Sequence, residues 1–329
     1  MSTSLLAGLL LVPISACACT LFARSMRRRA LGERIREVGP AGHAAKAGTP
    51  TMGGLIIALL WAAAVGVLSI WNPLGRTTLF VLATGGLFAG VGALDDALSL
   101  RRRRSAGLSA PAKLVLSSLG VVGLYFAFGD VLSGPVQVPF THVSVELPAV
   151  ASFALLWFVM VGTTNGMNLA DGLDGLSGGV AVILLVGLVL LRPTAETLTL
   201  AVPLIGALVG FLWINVHPAG LFLGDVGSYF LGGVVAAVAL ANGLSFLLPI
   251  LGGVLVLESV SVILQVGSRR LFGRRIFRMA PFHHHFERGA TTVREHLLPA
   301  FEWAEGKITV RFWMLGIVFL GLALIAARV

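Results

Sequence analysis

Residues 149–191 read AVASFALLWFVMVGTTNGMNLADGLDGLSGGVAVILLVGLVLL, two apolar runs joined by a short stretch rich in Gly, Asn and Asp. A helix needs about 20 apolar residues to cross the hydrocarbon core of a bilayer. Irregular backbone is tolerated at that depth only where it is buried in protein or lines a cavity. The stretch between the two runs therefore predicts a polar site between membrane-spanning helices.

The rest of the 329-residue chain follows the same apolar pattern. Hydrophobic residues make up 57% of it and charged residues 12%, against about 45–50% and about 25% in soluble domains. This composition excludes a disordered chain, a collagen-like chain and a soluble multidomain enzyme. We predict an all-α polytopic membrane protein with about ten transmembrane helices in one integral-membrane domain, residues 1–329. The predicted spans are 3–22, 52–71, 77–94, 110–128, 149–165, 175–191, 198–214, 228–241, 246–266 and 309–327.

The basic residues indicate the orientation of the chain in the membrane. With the N-terminus outside, only Arg76, Arg192 and Arg328 of the 24 Lys and Arg residues lie on the outer side. Basic residues concentrate in cytoplasmic loops, so we predict that both termini are outside. We interpret the net charge of +9 as a result of topology rather than nucleic-acid binding. The basic runs 101–104 and 269–278 can also attract anionic lipid head groups.

Carboxylates gather on the cytoplasmic side. Asp130 is the one Asp of six that the predicted topology places outside. Asp95 and Asp96 end the third predicted span, where adjacent carboxylates oppose the helix dipole and repel each other. We interpret this pair as a site for a divalent cation or a proton, with a solvated helix end as the alternative. The other three cytoplasmic aspartates are Asp171, Asp174 and Asp225.

One further acidic residue, Glu258, falls inside a predicted span. An ionisable residue at membrane depth is a functional candidate with a partner in the bundle interior. Packing and hydrogen bonding within the bundle is the alternative, and the sequence weights the two equally.

Two glycine-rich segments follow the fifth and seventh spans. Residues 165–179, NGMNLADGLDGLSGG, combine two Asp and two Asn with glycines that allow a ligand to approach the backbone. Residues 215–228, NVHPAGLFLGDVGS, lead into the eighth span, where Gly-Asp-x-Gly-Ser can form an anion-binding nest or simply cap the helix. Phe222 in this segment can stack on a nucleobase, and core packing is its alternative.

Two more cytoplasmic segments suit phosphate. Residues 46–54, KAGTPTMGG, place one cation and two hydroxyls before a helix start. Residues 279–287, MAPFHHHFE, carry three consecutive histidines, whose spacing does not suit zinc, and we interpret them as anion contacts. Hard carboxylate oxygens suit Mg²⁺, which commonly bridges protein and substrate phosphate. Together these segments predict phosphoryl transfer at the membrane surface, with a lipid as one substrate.

The motifs as a set resemble one family of membrane enzymes. GTPTMGG, Asp95-Asp96, NLADGLDG, Asn215 with PAGLFLGDVGS, and RMAPFHHHFE are similar to the phospho-N-acetylmuramoyl-pentapeptide transferase family. This family is part of the polyprenyl-phosphate N-acetylhexosamine-1-phosphate transferase superfamily. The likeness runs from about Lys46 to Val318, and MAPxHHHFE resembles this family rather than its relatives that use UDP-N-acetylglucosamine.

The resemblance implies a fold, a reaction and a cofactor. The fold has ten helices and forms a homodimer, and the cofactor is Mg²⁺. The enzyme transfers phospho-N-acetylmuramoyl-pentapeptide from its UDP donor to undecaprenyl phosphate. The products are UMP and the first lipid-linked peptidoglycan intermediate, lipid I, formed at the cytoplasmic face of the bacterial inner membrane.

The matching motifs also imply roles for individual residues. Asp225 is implied to be the Mg²⁺ ligand. Asp95 and Asp96 are implied to act at the lipid phosphate or the metal. Asp171 is implied to lie beside them, and His283 to be a further catalytic residue. The residues implied to bind substrates are Lys46, Thr51, Lys113, Asn168, Gly172, Leu173, Asp174, Asn215, Phe222, His284 and His285.

The chain departs from the family pattern at three places. Ser99 stands where the family has Lys, so the arginines at 101–104 are the candidates for that cation. Ala170 replaces a Thr. After Glu287 the family motif Gly-Trp-Pro-Glu is absent, and Arg288-Gly-Ala-Thr-Thr begins a longer stretch before the last span.

The role of Asp95 stays open at this stage. A phosphate monoester has a second pKa of about 6 and is mostly a dianion in the cytoplasm. Direct attack on the donor, base catalysis and a covalent aspartyl intermediate are therefore all compatible with the sequence. The rival functions are a transferase that uses UDP-N-acetylglucosamine and a transporter. A transporter would show mid-membrane charges and repeated, interrupted helices.

Overall fold

The computed structural model is mainly helical and describes residues 2–29, 48–71, 73, 75–102, 107–132, 134–289, 295–299 and 301–328. The helices are α1 (Ser2–Arg28), α2 (Gly53–Leu68), α3 (Arg76–Arg102), α4 (Ala110–Phe128), α5 (Ala149–Ala170), α6 (Leu176–Leu191), α7 (Ala195–Asn215), α8 (Gly224–Ala241), α9 (Leu248–Leu251), α10 (Gly253–Phe272) and α11 (Glu305–Arg328). Two 3-10 helices span Gly129–Leu132 and Phe282–Phe286.

A two-stranded antiparallel hairpin lies between α4 and α5. Its strands are β1 (Val136–Gln137) and β2 (Ser144–Val145), with Val136 opposite Val145. Apolar and polar residues alternate through this segment, which is the pattern expected of a half-buried strand.

The helices agree with the predicted spans in position more than in length. Seven helices of the described chain are long and apolar enough to cross a membrane, and α2 and α6 are shorter apolar helices. The prediction of one continuous span over 246–266 is wrong. This run divides at Gly252, which leaves the helical conformation with ψ 26° between α9 and α10. Ten spans therefore stay a prediction.

Large apolar side chains cover much of the outer surface of the bundle. Phe126, Val150 and Trp213 are 84%, 82% and 87% exposed. Soluble proteins rarely expose extended apolar patches, whereas lipid tails cover such a surface in a bilayer. With the seven long apolar helices, this surface makes the chain a multi-pass membrane protein.

Helix α8 forms the centre of the bundle and packs against α2, α3, α5 and α6. Its sequence GDVGSYFLGGVVAAVALA is rich in small residues, and every residue from Val226 to Leu240 is buried. Small residues let helices approach closely in membranes. A Cβ on Gly232 would lie 2.6 Å from the Thr164 Cα of α5, and one on Gly233 would lie 2.8 Å from Phe88 of α3. This close packing brings the start of α8 beside α3 and the end of α5.

The orientation of the bundle can be tested with a matched pair of single cysteines, one directly before α4 and one in the hairpin that follows α4. The native Cys17 and Cys19 are first replaced by Ala. We expect His142→Cys to react with a membrane-impermeant maleimide in intact cells, because positive-inside topology places the hairpin outside. Ser109→Cys should react only after permeabilisation. Labelling of Ser109→Cys in intact cells would invert the predicted topology.

Candidate active site

Three carboxylates meet where α3 passes the start of α8. Asp95 and Asp96 come from α3, and Asp225 comes from the first turn of α8. One oxygen from each carboxylate lies within 4.8 Å of the others. Asp95 and Asp96 are buried. Oxygen donors held this close together form a candidate site for a hard divalent cation.

The acidic pair does not end its helix, contrary to the expectation from sequence. Helix α3 continues to Arg102, and the Asp96 carboxylate caps α8 instead. Its Oδ1 accepts a hydrogen bond from Asp225 N at 3.2 Å, and its Oδ2 accepts one from Val226 N at 3.0 Å. Free N–H groups and the positive end of the helix dipole both favour a carboxylate there. The cap offsets the charge repulsion that the sequence alone suggested.

Lys113 and Asn168 complete the surroundings of Asp225. The Lys113 ammonium contacts Asp225 Oδ2 and lies 3.1 Å from Asp95 Oδ2. Asn168 Nδ2 donates hydrogen bonds to Asp225 Oδ1 at 2.9 Å and to Ser228 Oγ at 3.0 Å. Residues from α3, α4, α5 and α8 thus share one polar cluster.

The Asp- and Gly-rich loop between α5 and α6 is tied to the segment after α7. Asn215 Oδ1 accepts a hydrogen bond from Gly175 N at 3.1 Å, and Asn215 Nδ2 donates to Leu221 O at 2.9 Å. Leu173, a residue of this loop, is buried. The Asp171 carboxylate accepts a hydrogen bond from Ser177 Oγ at 2.5 Å. Its implied position beside the acidic pair stays a prediction.

Phe222 brings the segment before α2 to the start of α8. Phe222 N donates to Pro50 O at 2.8 Å, and Gly53 N donates to Phe222 O at 2.9 Å. The Phe222 side chain is half-buried, and Thr51 is buried. A Cβ on Gly224 would lie 3.0 Å from Thr51 Oγ1 and 2.7 Å from Asp96 Oδ2, so Thr51 lies close to the carboxylate cluster.

One predicted cation falls outside the described residues, and the arginines at 101–104 are described only in part. Lys46 lies in the undescribed stretch 30–47. Of the arginines at 101–104, only the Arg101 side chain is described, and it is exposed. Their predicted roles stay predictions.

His283 lies between the Asp- and Gly-rich loop and the buried Glu258. Glu258 Oε1 is 3.1 Å from His283 Nδ1, and both side chains are fully buried. The opposite ring nitrogen, Nε2, abuts Gly172, where any Cβ would collide with it. Within the described residues, neither ring nitrogen has a hydrogen-bond partner, and the His283 backbone N–H donates to Glu258 Oε2 at 3.4 Å. Glu258 thus binds the backbone of His283 and contacts one side of the imidazole, while the other side faces the loop.

His284 and His285 have different surroundings. His284 Nδ1 is 2.7 Å from Glu287 Oε2. His285 Nδ1 accepts a hydrogen bond from Arg278 N at 3.1 Å, and its Nε2 donates to Pro299 O at 3.1 Å. Burial lowers the pKa of His285, which agrees with this neutral tautomer. Both ring nitrogens of His285 thus bind the protein's own backbone. The predicted contact of His285 with the substrate stays a prediction.

Two residues that contact Asp174, His217 and Glu305, are not among the site residues that the motifs predict. Asp174 Oδ2 accepts a hydrogen bond from Ala219 N at 3.1 Å and lies 3.0 Å from His217 Nδ1. Glu305 Oε1 accepts a hydrogen bond from Asp174 N at 2.7 Å. One sequence signal could have identified Glu305.

That signal is Trp303-Ala-Glu305, which keeps the Trp-x-Glu spacing of the family motif that follows Glu287. Trp303 pairs with Glu287 through a β-bridge and stacks on Phe286 with 4.6 Å between ring centroids. The chain thus returns to Glu287 at Trp303.

Comparisons with known proteins show which family the sequence resembles. The model of Glycosyl transferase family 4 matches residues 78–243. The phospho-N-acetylmuramoyl-pentapeptide-transferase signature 1 matches residues 46–57. The fold, the site and the first match define the class as a membrane-embedded phospho-sugar transferase.

Curated relatives narrow the class to one family. The chain is 38% identical to a phospho-N-acetylmuramoyl-pentapeptide-transferase of Rubrobacter xylanophilus, with 91% of this chain and 89% of the relative covered. Identity to the Desulfotalea psychrophila enzyme of the same name is 40%, covering 93% and 87%. For the Caldanaerobacter subterraneus enzyme it is 38%, covering 95% of each chain. The chain belongs to the phospho-N-acetylmuramoyl-pentapeptide-transferase family.

Glu258 offers a test of whether a buried carboxylate holds His283. We expect Glu258→Leu to lower the free energy of unfolding by about 1–3 kcal/mol, because it leaves the buried backbone N–H of His283 without its acceptor. Glu258→Gln keeps an acceptor oxygen and should lose less. The measurement is the unfolding midpoint of the purified protein in detergent. The lipid-facing Ile263→Ala on the same helix is the control. A Leu variant as stable as the wild type would show that the contact contributes nothing to stability.

Proposed function

We propose that this protein transfers phospho-N-acetylmuramoyl-pentapeptide from its UDP donor to undecaprenyl phosphate, at the cytoplasmic face of the bacterial inner membrane. An oxygen of the acceptor phosphate bonds to the sugar-bearing phosphorus of the donor. The bond from that phosphorus to the bridging oxygen breaks, and UMP leaves. The lipid-linked diphosphate is lipid I.

The convergence of Asp95, Asp96 and Asp225 with Lys113 is the observation that carries this proposal. Phosphoryl transfer needs positioning and charge stabilisation rather than much covalent chemistry from the protein. Lys113 lies between Asp95 and Asp225, where an ammonium can also meet a phosphate oxygen. The cluster lies in a helix bundle whose outer surface is apolar, and in this proposal the lipid approaches it from the bilayer.

Mg²⁺ fits the donor set of this cluster. The carboxylates of Asp95, Asp96 and Asp225 supply oxygens within 4.8 Å of one another, and Mg²⁺ prefers oxygen ligands. Asp96 already binds two backbone N–H groups, so Asp225 is the principal ligand that we propose, with Asp95 beside it. When bound, Mg²⁺ offsets negative charge on the phosphates.

The remaining residues bind and orient the two substrates in this proposal. Asp95 accepts a hydrogen bond from Leu108 N at 2.5 Å and pairs with Lys113, which suits a carboxylate that orients the lysine. The acceptor phosphate is already mostly a dianion and needs no base. His283 Nε2 faces Gly172 and can donate to a donor oxygen. Phe222, Asp174 and the loop backbone form the uridine pocket.

The proposal is tested by measuring UMP release from each of two donors. Purified protein in detergent receives undecaprenyl phosphate, Mg²⁺ and either UDP-N-acetylmuramoyl-pentapeptide or UDP-N-acetylglucosamine. We expect release with the first donor only. Release with UDP-N-acetylglucosamine alone would assign the chain to the rival transferase activity.

Asp225→Asn tests the metal assignment. A neutral amide oxygen is a poorer ligand for a hard cation than a carboxylate, so we expect turnover to be lost while the unfolding midpoint stays near that of the wild type. Calorimetry should show weaker Mg²⁺ binding. Asp130→Asn is the control. Asp130 is distant from Asp225 along the chain and pairs with Arg76, so its substitution should leave turnover and Mg²⁺ binding unchanged. If the Asp225→Asn variant kept near-normal turnover and Mg²⁺ dependence, Asp225 would not be a metal ligand and would serve only at the start of α8.

Phe222→Ala tests the uridine pocket. Stacking of an aromatic ring on a base contributes about 1–3 kcal/mol. Uridine is not the reacting centre, so its binding should be uniform between ground and transition states. We expect the KM for the UDP donor to rise by roughly one to two orders of magnitude, with a smaller change in kcat. The KM for the lipid should hardly change.

Phe222→Tyr is the matched control because it keeps the ring and should keep the donor KM. If Phe222 instead packs into the bundle, Phe222→Ala would lower the unfolding midpoint and leave the donor KM unchanged.

A further inference from the structure

Three polar side chains of α11 line one face of that helix and meet the loop between α5 and α6. Glu305, Thr309 and Trp313 are spaced by four residues, which places them on one face in successive turns. Glu305 Oε1 accepts a hydrogen bond from Asp174 N at 2.7 Å. Thr309 Oγ1 donates to Asp174 O at 3.0 Å, and Trp313 Nε1 donates to Gly175 O at 3.2 Å.

These contacts satisfy three polar groups of the loop backbone, which are Asp174 N, Asp174 O and Gly175 O. Backbone groups at membrane depth need partners inside the protein because no water is available to them. Thr309 is buried, so its hydroxyl cannot easily be replaced by solvent. The conformation of the loop at Asp174 and Gly175 therefore depends on α11.

A close approach of the Trp313 ring strengthens this attachment. Any Cβ on Gly179, in the first turn of α6, would collide with the indole of Trp313. A Cβ on Gly175 would lie 3.6 Å from Thr309 Cγ2 and from Trp313 Cζ2. The loop and the start of α6 thus pack directly on the face of α11 that carries the three hydrogen bonds.

The same face also reaches the segment after α7. Glu305 Oε2 lies 3.5 Å from His217 Nδ1, and His217 Nδ1 lies 3.0 Å from Asp174 Oδ2. Asp174 Oδ2 also accepts from Ala219 N. Glu305 thus connects Asp174 and His217, which are 43 residues apart in sequence, and Phe222 follows in the second segment.

We infer that Glu305, Thr309 and Trp313 are positioning residues for the nucleotide part of the UDP donor. The inference rests on the proposed function, in which the loop from Gly172 to Asp174 and Phe222 form the uridine pocket. The helix acts through the loop and touches no substrate. It lies outside the part of the chain that the Glycosyl transferase family 4 model matches, so the last helix adds to the site that the matched part carries.

Thr309 gives the sharpest test because a single hydroxyl can be removed and restored. Thr309→Val removes the donor to Asp174 O at nearly constant volume, and Thr309→Ser keeps it. Two measurements are made on the full chain in detergent with Mg²⁺. One is the Kd of UMP by calorimetry, and the other is KM for the UDP donor and for undecaprenyl phosphate.

We expect Thr309→Val to raise the Kd of UMP and the donor KM about tenfold, since one partner of a buried hydrogen bond is lost. The lipid KM should stay within about twofold, and Thr309→Ser should restore donor binding. Lys307→Gln, an exposed change in the first turn of α11, should match the wild type.

A Glu305 pair keeps the test valid if Thr309→Val does not fold. Glu305→Ala removes the acceptor for Asp174 N and should weaken UMP binding, whereas Glu305→Gln retains an acceptor oxygen and should weaken it less. UMP affinity that is unchanged in Thr309→Val and Glu305→Ala would overturn the inference, as would equal rises in both KM values. Absence of UMP binding and release by the unsubstituted chain would overturn the proposed function itself, and this inference with it.

Discussion

The backbone N–H groups that open α8 have no partners within that helix, and the Asp96 carboxylate of α3 binds two of them. This cap fixes the first turn of α8 beside Asp96 of α3. It therefore determines that Asp225, in the first turn of α8, lies beside Asp95. The glycines along α8 allow the close packing that keeps the two helices in this register. The carboxylate cluster is a consequence of how α8 begins.

Bringing three carboxylates together has an electrostatic cost that the surroundings must offset. Lys113 contacts two of them, and Asn168 donates a hydrogen bond to Asp225. The cluster still holds more carboxylates than ammonium groups. Such an excess of negative charge, partly removed from water, favours the binding of a further cation. The same arrangement would repel a substrate phosphate without that cation, which links metal and phosphate binding.

The irregular loops depend on a second constraint, which is that polar backbone at membrane depth must find partners in the protein. Asn215 binds both the loop after α5 and its own segment. Thr309 and Trp313 supply hydrogen bonds from the last helix. Glu258 accepts a hydrogen bond from the backbone N–H of His283 inside the bundle. The elements that carry these partners are distant in sequence, so the site requires the complete bundle.

The apolar composition, the approximate helix positions and the polar segments of the site were all predictable from sequence. The bilayer requires each spanning helix to be a long apolar run, and each polar motif is a contiguous segment. Both can therefore be recognised in the sequence. Asp95, Asp96 and Asp225 were predictable as a group because motifs of this family carry them.

Only the tertiary structure decided which groups bind each other. The Asp96 carboxylate caps a helix that begins 128 residues later, and Glu305 binds a loop 131 residues earlier. The division of 246–266 at Gly252 also escaped the sequence, because hydropathy measures polarity and does not report backbone dihedral angles. Hydrogen bonds depend on distance and direction in three dimensions, and spacing along the chain does not contain that information between separate helices.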